Sequence, residues 1–209
     1  MSVIVRGKTD NFFLRFCLKF CLEYMNFTEK SHQAVAGIRG KIFYAVDATV
    51  GGGRDALFAA SIMEPSGKLF CFDVQAEAIA RSKKLIEENA PECACEFFRA
   101  GHESMKELLP RQTHGRINCF FFNLGWLPGS DKKIATRAET TIEGLSAAFE
   151  LADRNACVIS VCCYKAHEGG MSEFRAVEKF MEANFQDCKR YTDTLNDLSP
   201  ELFIVKFGS

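Results

Sequence analysis

The stretch from Val46 to Asp55, Val-Asp-Ala-Thr-Val-Gly-Gly-Gly-Arg-Asp, constrains this chain more than any other. The apolar run Ile42-Phe43-Tyr44-Ala45-Val46 precedes it, and Ala-Leu-Phe-Ala-Ala-Ser-Ile-Met, with helical periodicity, follows. The order is strand, glycine-rich turn, helix start. Such a turn lets backbone N–H groups and a helix N-terminus face a ligand with no side chain in the way. Asp47 closes this strand, and Asp73 closes the next apolar run, Lys68-Leu69-Phe70-Cys71-Phe72. Two acids at adjacent strand ends, with glycines between them, suit a nucleoside-bearing cofactor.

Apolar runs and helical patterns alternate along the chain. Further strands are expected at Cys93–Arg99, Ile117–Phe122 and Ala156–Cys163. Two more, Cys188–Thr194 and Leu202–Phe207, are separated only by Asn196-Asp197-Leu198-Ser199-Pro200, which predicts an antiparallel hairpin. Helices are expected at about Arg54–Met63, Gln75–Asn89, Glu103–Leu109, Glu139–Leu151 and Ser172–Asn184, the last with Ser172 as its N-cap. The pattern predicts an α/β, Rossmann-like, doubly wound sheet of seven strands, mostly parallel, closed by the C-terminal hairpin. Residues 41–209 form this domain. Residues 1–40 are read as an N-terminal helical extension, because Phe12, Phe13, Phe16, Phe20 and Tyr24 alternate with basic residues. Core packing is the first reading of that Phe-rich face, and a homodimer surface is the second.

Composition excludes several classes. A net charge of −1 announces no bulk nucleic-acid binder, although a local basic patch would suffice for one. The ten cysteines lack metal-ligand spacing, since Cys93-Ala-Cys95 and Cys162-Cys163 stand too close for a zinc pair. They are read as reduced, buried small hydrophobes in a reducing compartment, and no metal is expected. No signal peptide is evident and no run reaches about 20 apolar residues. The expectation is a soluble, cytoplasmic protein with no membrane partner.

The glycine loop alone leaves the cofactor open. Gly51-x-Gly53-x-x-Ala56 also matches a relaxed dinucleotide fingerprint, and Asp73 stands at about the right distance for a ribose-binding acid, so a nicotinamide or flavin is an alternative. Asp47 turns the argument. It would repel a pyrophosphate and favour a cofactor carrying a sulfonium and an ammonium. At the fourth strand end, Asn123-Leu-Gly-Trp resembles the Asn-Pro-Pro-Tyr-type motif of amino-group methyltransferases.

With these motifs the chain resembles the YtqB/MnmM-type family of class I S-adenosylmethionine-dependent methyltransferases, long labelled rRNA methylases and including the tRNA 5-(aminomethyl)-2-thiouridine methyltransferases. The resemblance is carried by Asp47–Asp55, Phe72–Gln75, Gly101–Glu103, Asn123–Lys132, Glu139–Thr141 and His167–Gly169. It runs from about His32 to Phe207. Gly52 stands where the family usually has Asn, and Ala166 where it has Gly.

The resemblance implies S-adenosyl-L-methionine as cofactor and the aminomethyl group of a tRNA wobble uridine as methyl acceptor. It implies that Gly51 and Gly53 pass the backbone close to the methionine part of the cofactor. Asp47 would attract its amino group, and Thr49 and Asp55 would shape the loop. Asp73 would take the ribose hydroxyls with Gln75 in the same pocket, and His102 would stand on the adenine side. Asn123, helped by the Leu124 carbonyl, would orient the target nitrogen, and Trp126 would stack on a base. Asp131, Lys132, Glu139, Thr140, His167 and Glu168 would complete the substrate pocket. Lys132, Lys133, Arg137 and Lys165 would supply phosphate contacts. Three alternatives stay open: N-methylation of an rRNA base, N-methylation of a small amine, and a non-catalytic NAD-type Rossmann protein.

Overall fold

In the computed structural model, residues 26–208 are described apart from 128, 130–133 and 193–195. The Phe-rich segment from Phe12 to Tyr24 and the candidate residues Asp131, Lys132 and Lys133 therefore lie outside the described residues.

The apolar runs form strands β1 (Tyr44–Asp47), β2 (Lys68–Phe72), β3 (Ala94–Phe98), β4 (Cys119–Leu124), β5 (Cys157–Cys163), β6 (Lys189–Thr192) and β7 (Glu201–Phe207). They make one seven-stranded sheet in the order β3-β2-β1-β4-β5-β7-β6. The first five strands run parallel, while β7 is antiparallel to β5 and to β6. The expected terminal hairpin is present, with its second strand inserted beside β5.

Six helices among the described residues surround the sheet: α1 (Phe27–Ala36), α2 (Arg54–Ile62), α3 (Ala76–Asn89), α4 (Met105–Leu108), α5 (Ala138–Leu151) and α6 (Gly170–Asn184). Alternate residues along each strand feed two cores, as the pleat requires. Val46, Phe70, Phe72, Phe120 and Phe122 pack toward Leu145, Ala148, Val177 and Met181 of α5 and α6. Ala45, Leu69, Cys119 and Phe121 pack on the opposite face with Val35, Ala56, Ala59 and Ile86 of α1, α2 and α3. Burial on both faces explains why β4 is apolar almost throughout. Cys71, Cys119, Cys157, Cys162 and Cys163 are buried in the sheet, and the cysteines among the described residues are free thiols.

Helix α1 begins with a capping box, in which Asn26 accepts from the Glu29 N–H and Glu29 accepts from the Asn26 N–H. The helix lies against β5, β7 and α2, and its Ser31 hydroxyl bonds Ser160 of β5 at 2.7 Å. Helix α6 starts two residues earlier than expected. Gly169, at φ +80°, turns the chain into it, so Ser172 lies inside the helix and is not its N-cap. No helix among the described residues is long and apolar enough to cross a membrane.

Candidate active site

Strand order reverses between β1 and β4, and a cleft of about 910 Å³ opens above their carboxyl ends. This is where ligands bind open α/β sheets. Its floor is the loop from β1 to α2. Gly51 and Gly53 stand at φ +48° and +80°, conformations that L side chains rarely adopt. A Cβ on Gly53 would meet Ser82 Cα at 3.0 Å and Cβ at 2.9 Å, so the close approach of loop to α3 requires glycine. A Cβ on Gly52 would meet nothing within 4 Å.

Asp73 lines the cleft from the end of β2. Its Oδ2 accepts from the Gly51 N–H at 3.0 Å and its Oδ1 from the Gln75 N–H at 2.9 Å, so one carboxylate pins two segments of the wall. Burial raises its pKa, against the lowering effect of these amides. Asp47 lies beneath the loop, 1 % exposed, and accepts from the Thr49 N–H at 3.3 Å. Burial, then the nearby charge of Asp55, pushes its pKa well above the usual carboxylate range.

Asn123, near the end of β4, is held from two sides. Its backbone N–H donates to Thr49 Oγ1 at 2.7 Å, and its side-chain Nδ2 donates to Asp55 Oδ2 at 2.6 Å. The chain after it returns through a bridge between Trp126 and Ala135. Behind this loop, Glu173 of α6 is buried and accepts from Thr136 Oγ1 at 2.8 Å and Thr141 Oγ1 at 2.6 Å. Trp126 stands edge-on to the His167 ring at 5.5 Å.

Residues 69–196 match the family described as "Putative rRNA methylase". The chain belongs to that family. A relative is the Arabidopsis thaliana protein named tRNA (mnm(5)s(2)U34)-methyltransferase, chloroplastic. It is 32% identical over 162 residues, which are 73% of this chain and 58% of the relative. This chain thus spans a little over half of that relative's length. Among solved structures, a "putative rRNA-methylase" from Clostridium thermocellum is 31% identical with a TM-score of 0.76, covering 87% of this chain and 97% of its own. A "putative methyltransferase" from Streptococcus mutans, solved with SAH, shares the fold at 23% identity and a TM-score of 0.75, over 87% and 98% of the two chains. The fold is accordingly the Rossmann-like fold of class I S-adenosylmethionine-dependent methyltransferases.

For this family member the cleft gathers Thr49, Gly51, Asp55, Asp73, Gln75, His102, Asn123, Trp126, Arg137 and Thr140. Other candidates sit off its wall, among them Glu139 and Glu168, which are exposed. Asp47 is under the loop, where it meets amides of the turn. Gly53 faces Ser82 of α3. Leu124 is fully buried, and its carbonyl accepts from the Tyr164 N–H at 3.0 Å, completing the β4–β5 register. His167 has a side chain only 5% exposed, 3.9 Å from Glu173, and backs Trp126.

Lys165 also departs from expectation. Its ammonium is buried and donates to Glu201 Oε1 at 2.8 Å, which removes it from any RNA-facing patch. His102 is buried between Phe122 and α5, with a ring nitrogen bonded to the Ala48 carbonyl, and burial lowers its pKa. Sequence reasoning missed Thr28, Arg54, Arg81 and Tyr164, all on the cleft wall. Arg54 lies in the glycine stretch itself, so its place was readable from the loop. The other three come from separate elements and carried no motif.

The wall fits S-adenosylmethionine. Gly51 leaves its N–H against Asp73, Gly52 leaves open space, and acids rather than buried cations surround them. A pH dependence follows. Asp47 and Asp73 have raised folded-state pKa values, so their contribution to apo stability is full below the unfolded pKa and is lost as pH rises through the folded value. A cationic ligand would be attracted by their ionised forms. The thermal shift given by S-adenosylmethionine should therefore grow as pH rises from the usual carboxylate range through the raised pKa values of these two acids. A shift that shrinks over that range would count against these acids as the source of attraction.

Proposed function

We propose that the protein is an S-adenosylmethionine-dependent RNA methyltransferase that N-methylates the aminomethyl group of 5-(aminomethyl)-2-thiouridine at the tRNA wobble position. The observation that carries this reading is the fixed Asn123 amide beside Trp126, in the same cleft as the glycine loop and Asp73. The activity named for the Arabidopsis relative agrees with it. S-adenosylmethionine supplies an electrophilic methyl group on sulfur. The chain's own residues do the rest. Asn123 orients the acceptor nitrogen, and Trp126 offers an aromatic face to the base. Arg54, Arg81 and Arg137 are exposed on the cleft wall and would meet phosphate oxygens of the RNA. In-line displacement needs a neutral amine held near ~3 Å from the methyl carbon, and partial desolvation in the cleft favours the neutral form.

The test is methylation of separate tRNA, rRNA and small-amine pools with labelled S-adenosylmethionine, followed by nucleoside mass spectrometry. Label in the wobble nucleoside of tRNA bearing the aminomethyl group is the expected result. Label confined to rRNA or to small amines would replace the substrate. A thermal shift with NAD and none with S-adenosylmethionine would replace the cofactor.

A further inference from the structure

Asp55 faces the cleft from the first turn of α2, and both of its oxygens already have partners. Oδ2 accepts from Asn123 Nδ2 at 2.6 Å, and Oδ1 lies 2.6 Å from His32 Nε2. His32 comes from α1, one turn after Thr28, which lines the cleft. Its ring stacks on Phe58 of α2, with centroids 3.8 Å apart and planes 3° from parallel, and stands edge-on to Phe121 of β4 at 6.1 Å. The three side chains form a line from α1 through α2 to the end of β4. The His32 and Asp55 side chains are only 23% and 12% exposed, so water competes little for the contact.

The chemistry of the line sets its direction. A carboxylate only accepts hydrogen bonds, so the Asn123 amide must turn its NH₂ toward Asp55. Its Oδ1 is then the atom left for an N–H of whatever enters the cleft. Without a fixed Asp55, the amide can rotate and present a donor to an acceptor nitrogen, which is the wrong sign for holding a nucleophilic amine. Two charge-assisted contacts at 2.6 Å favour one arrangement strongly.

We infer that His32 is a positioning residue for methyl transfer: by fixing the Asp55 carboxylate it locks the Asn123 amide with Oδ1 toward the acceptor nitrogen. The identity of that acceptor rests on the function proposed above. The lock itself does not.

Substitution separates the two contributions of the His32 ring. His32→Phe keeps a flat ring against Phe58 and removes the nitrogen. His32→Gln gives up the ring and returns an amide nitrogen near the position of Nε2, while His32→Asn is too short to reach. With His32→Phe, kcat for methyl transfer should fall about 10- to 100-fold while KM for RNA and affinity for SAH stay within about threefold. His32→Gln should bring kcat back to within about threefold of the parent protein, and His32→Asn should not. A His32→Phe enzyme with parental kcat overturns the inference. So does a loss of SAH affinity parallel to the loss of kcat, or an equal defect in the Phe and Gln variants.

A second readout needs no turnover. The Asn123 side-chain NH₂ signals in a ¹⁵N–¹H spectrum, assigned by their disappearance in Asn123→Ala, should move in His32→Phe and return in His32→Gln. If the parent protein methylates no RNA, the functional proposal fails while these signals still report the lock. If it methylates RNA, but both kcat and the signals ignore His32→Phe, only the lock fails.

Discussion

Asn123→Ala should lower kcat about 100- to 1000-fold and leave affinity for SAH within about threefold. The backbone N–H of residue 123 bonds Thr49 Oγ1 at 2.7 Å, and that contact survives in alanine. The strand also survives, because residues 119–122 are buried on both sides of it. What is lost is the amide that donates to Asp55 at 2.6 Å. In the proposed site, cofactor affinity would rest on other residues, the glycine loop and Asp73 among them. Asn123→Asp should be at least as damaging, since a carboxylate so close to Asp55 could not ionise alongside it. Turnover with labelled methyl donor and calorimetry with SAH separate the two quantities. Equal loss of both would remove Asn123 from the acceptor role and make it a wall of the cofactor site.

Lys165→Ala should destabilise the fold by about 1.5–3 kcal/mol, because Glu201 loses its buried ammonium partner but keeps Arg190 Nε at 2.5 Å. Both side chains are 5% exposed and their contact is 2.8 Å. Burial alone would raise the Glu201 pKa, but Arg190 and Lys165 outweigh it and hold the carboxyl below its usual value. The pair therefore contributes stability above the unfolded pKa of Glu201 and loses it as pH falls through the folded one. Lys165→Met with Glu201→Leu should recover most of the loss, since an apolar pair of similar volume needs no desolvation. Arg190 keeps Glu178 at 2.6 Å in that double variant. Urea unfolding midpoints read the effect. A single variant with a parental midpoint and weakened RNA binding would return Lys165 to the basic patch.

These two residues also mark how far the sequence can be read. The place of Asn123 on the cleft wall was legible because strand ends in a doubly wound sheet converge. Asp73 and the glycine loop were legible for the same reason. The boundaries of the central strands β1, β4 and β5 came out within about two residues because apolar runs covered on both faces admit little else. Lys165 was misread because its partner lies 36 residues away. Only the antiparallel register of β5 and β7, which puts Cys163 opposite Glu201, brings the two together. Leu124 was misread at a finer scale. Its position at a strand end was right, but its carbonyl is taken by the Tyr164 N–H, a partner that the neighbouring strand sets. His32 had no legible role, as its meeting with Asp55 depends on how α1 docks.

The docking of α1 has a consequence for the order in which the protein becomes competent during synthesis. Residues of α1 leave the ribosome early, but the surfaces they pack on include β5 and β7, which are made late. The loop, Asp73 and the first three strands are local in sequence and can assemble well before that. A nascent chain can thus build the floor of its cleft while the Asn123 amide is still unfixed. The acceptor half matures only when the last strand is in place and the helix has somewhere to land.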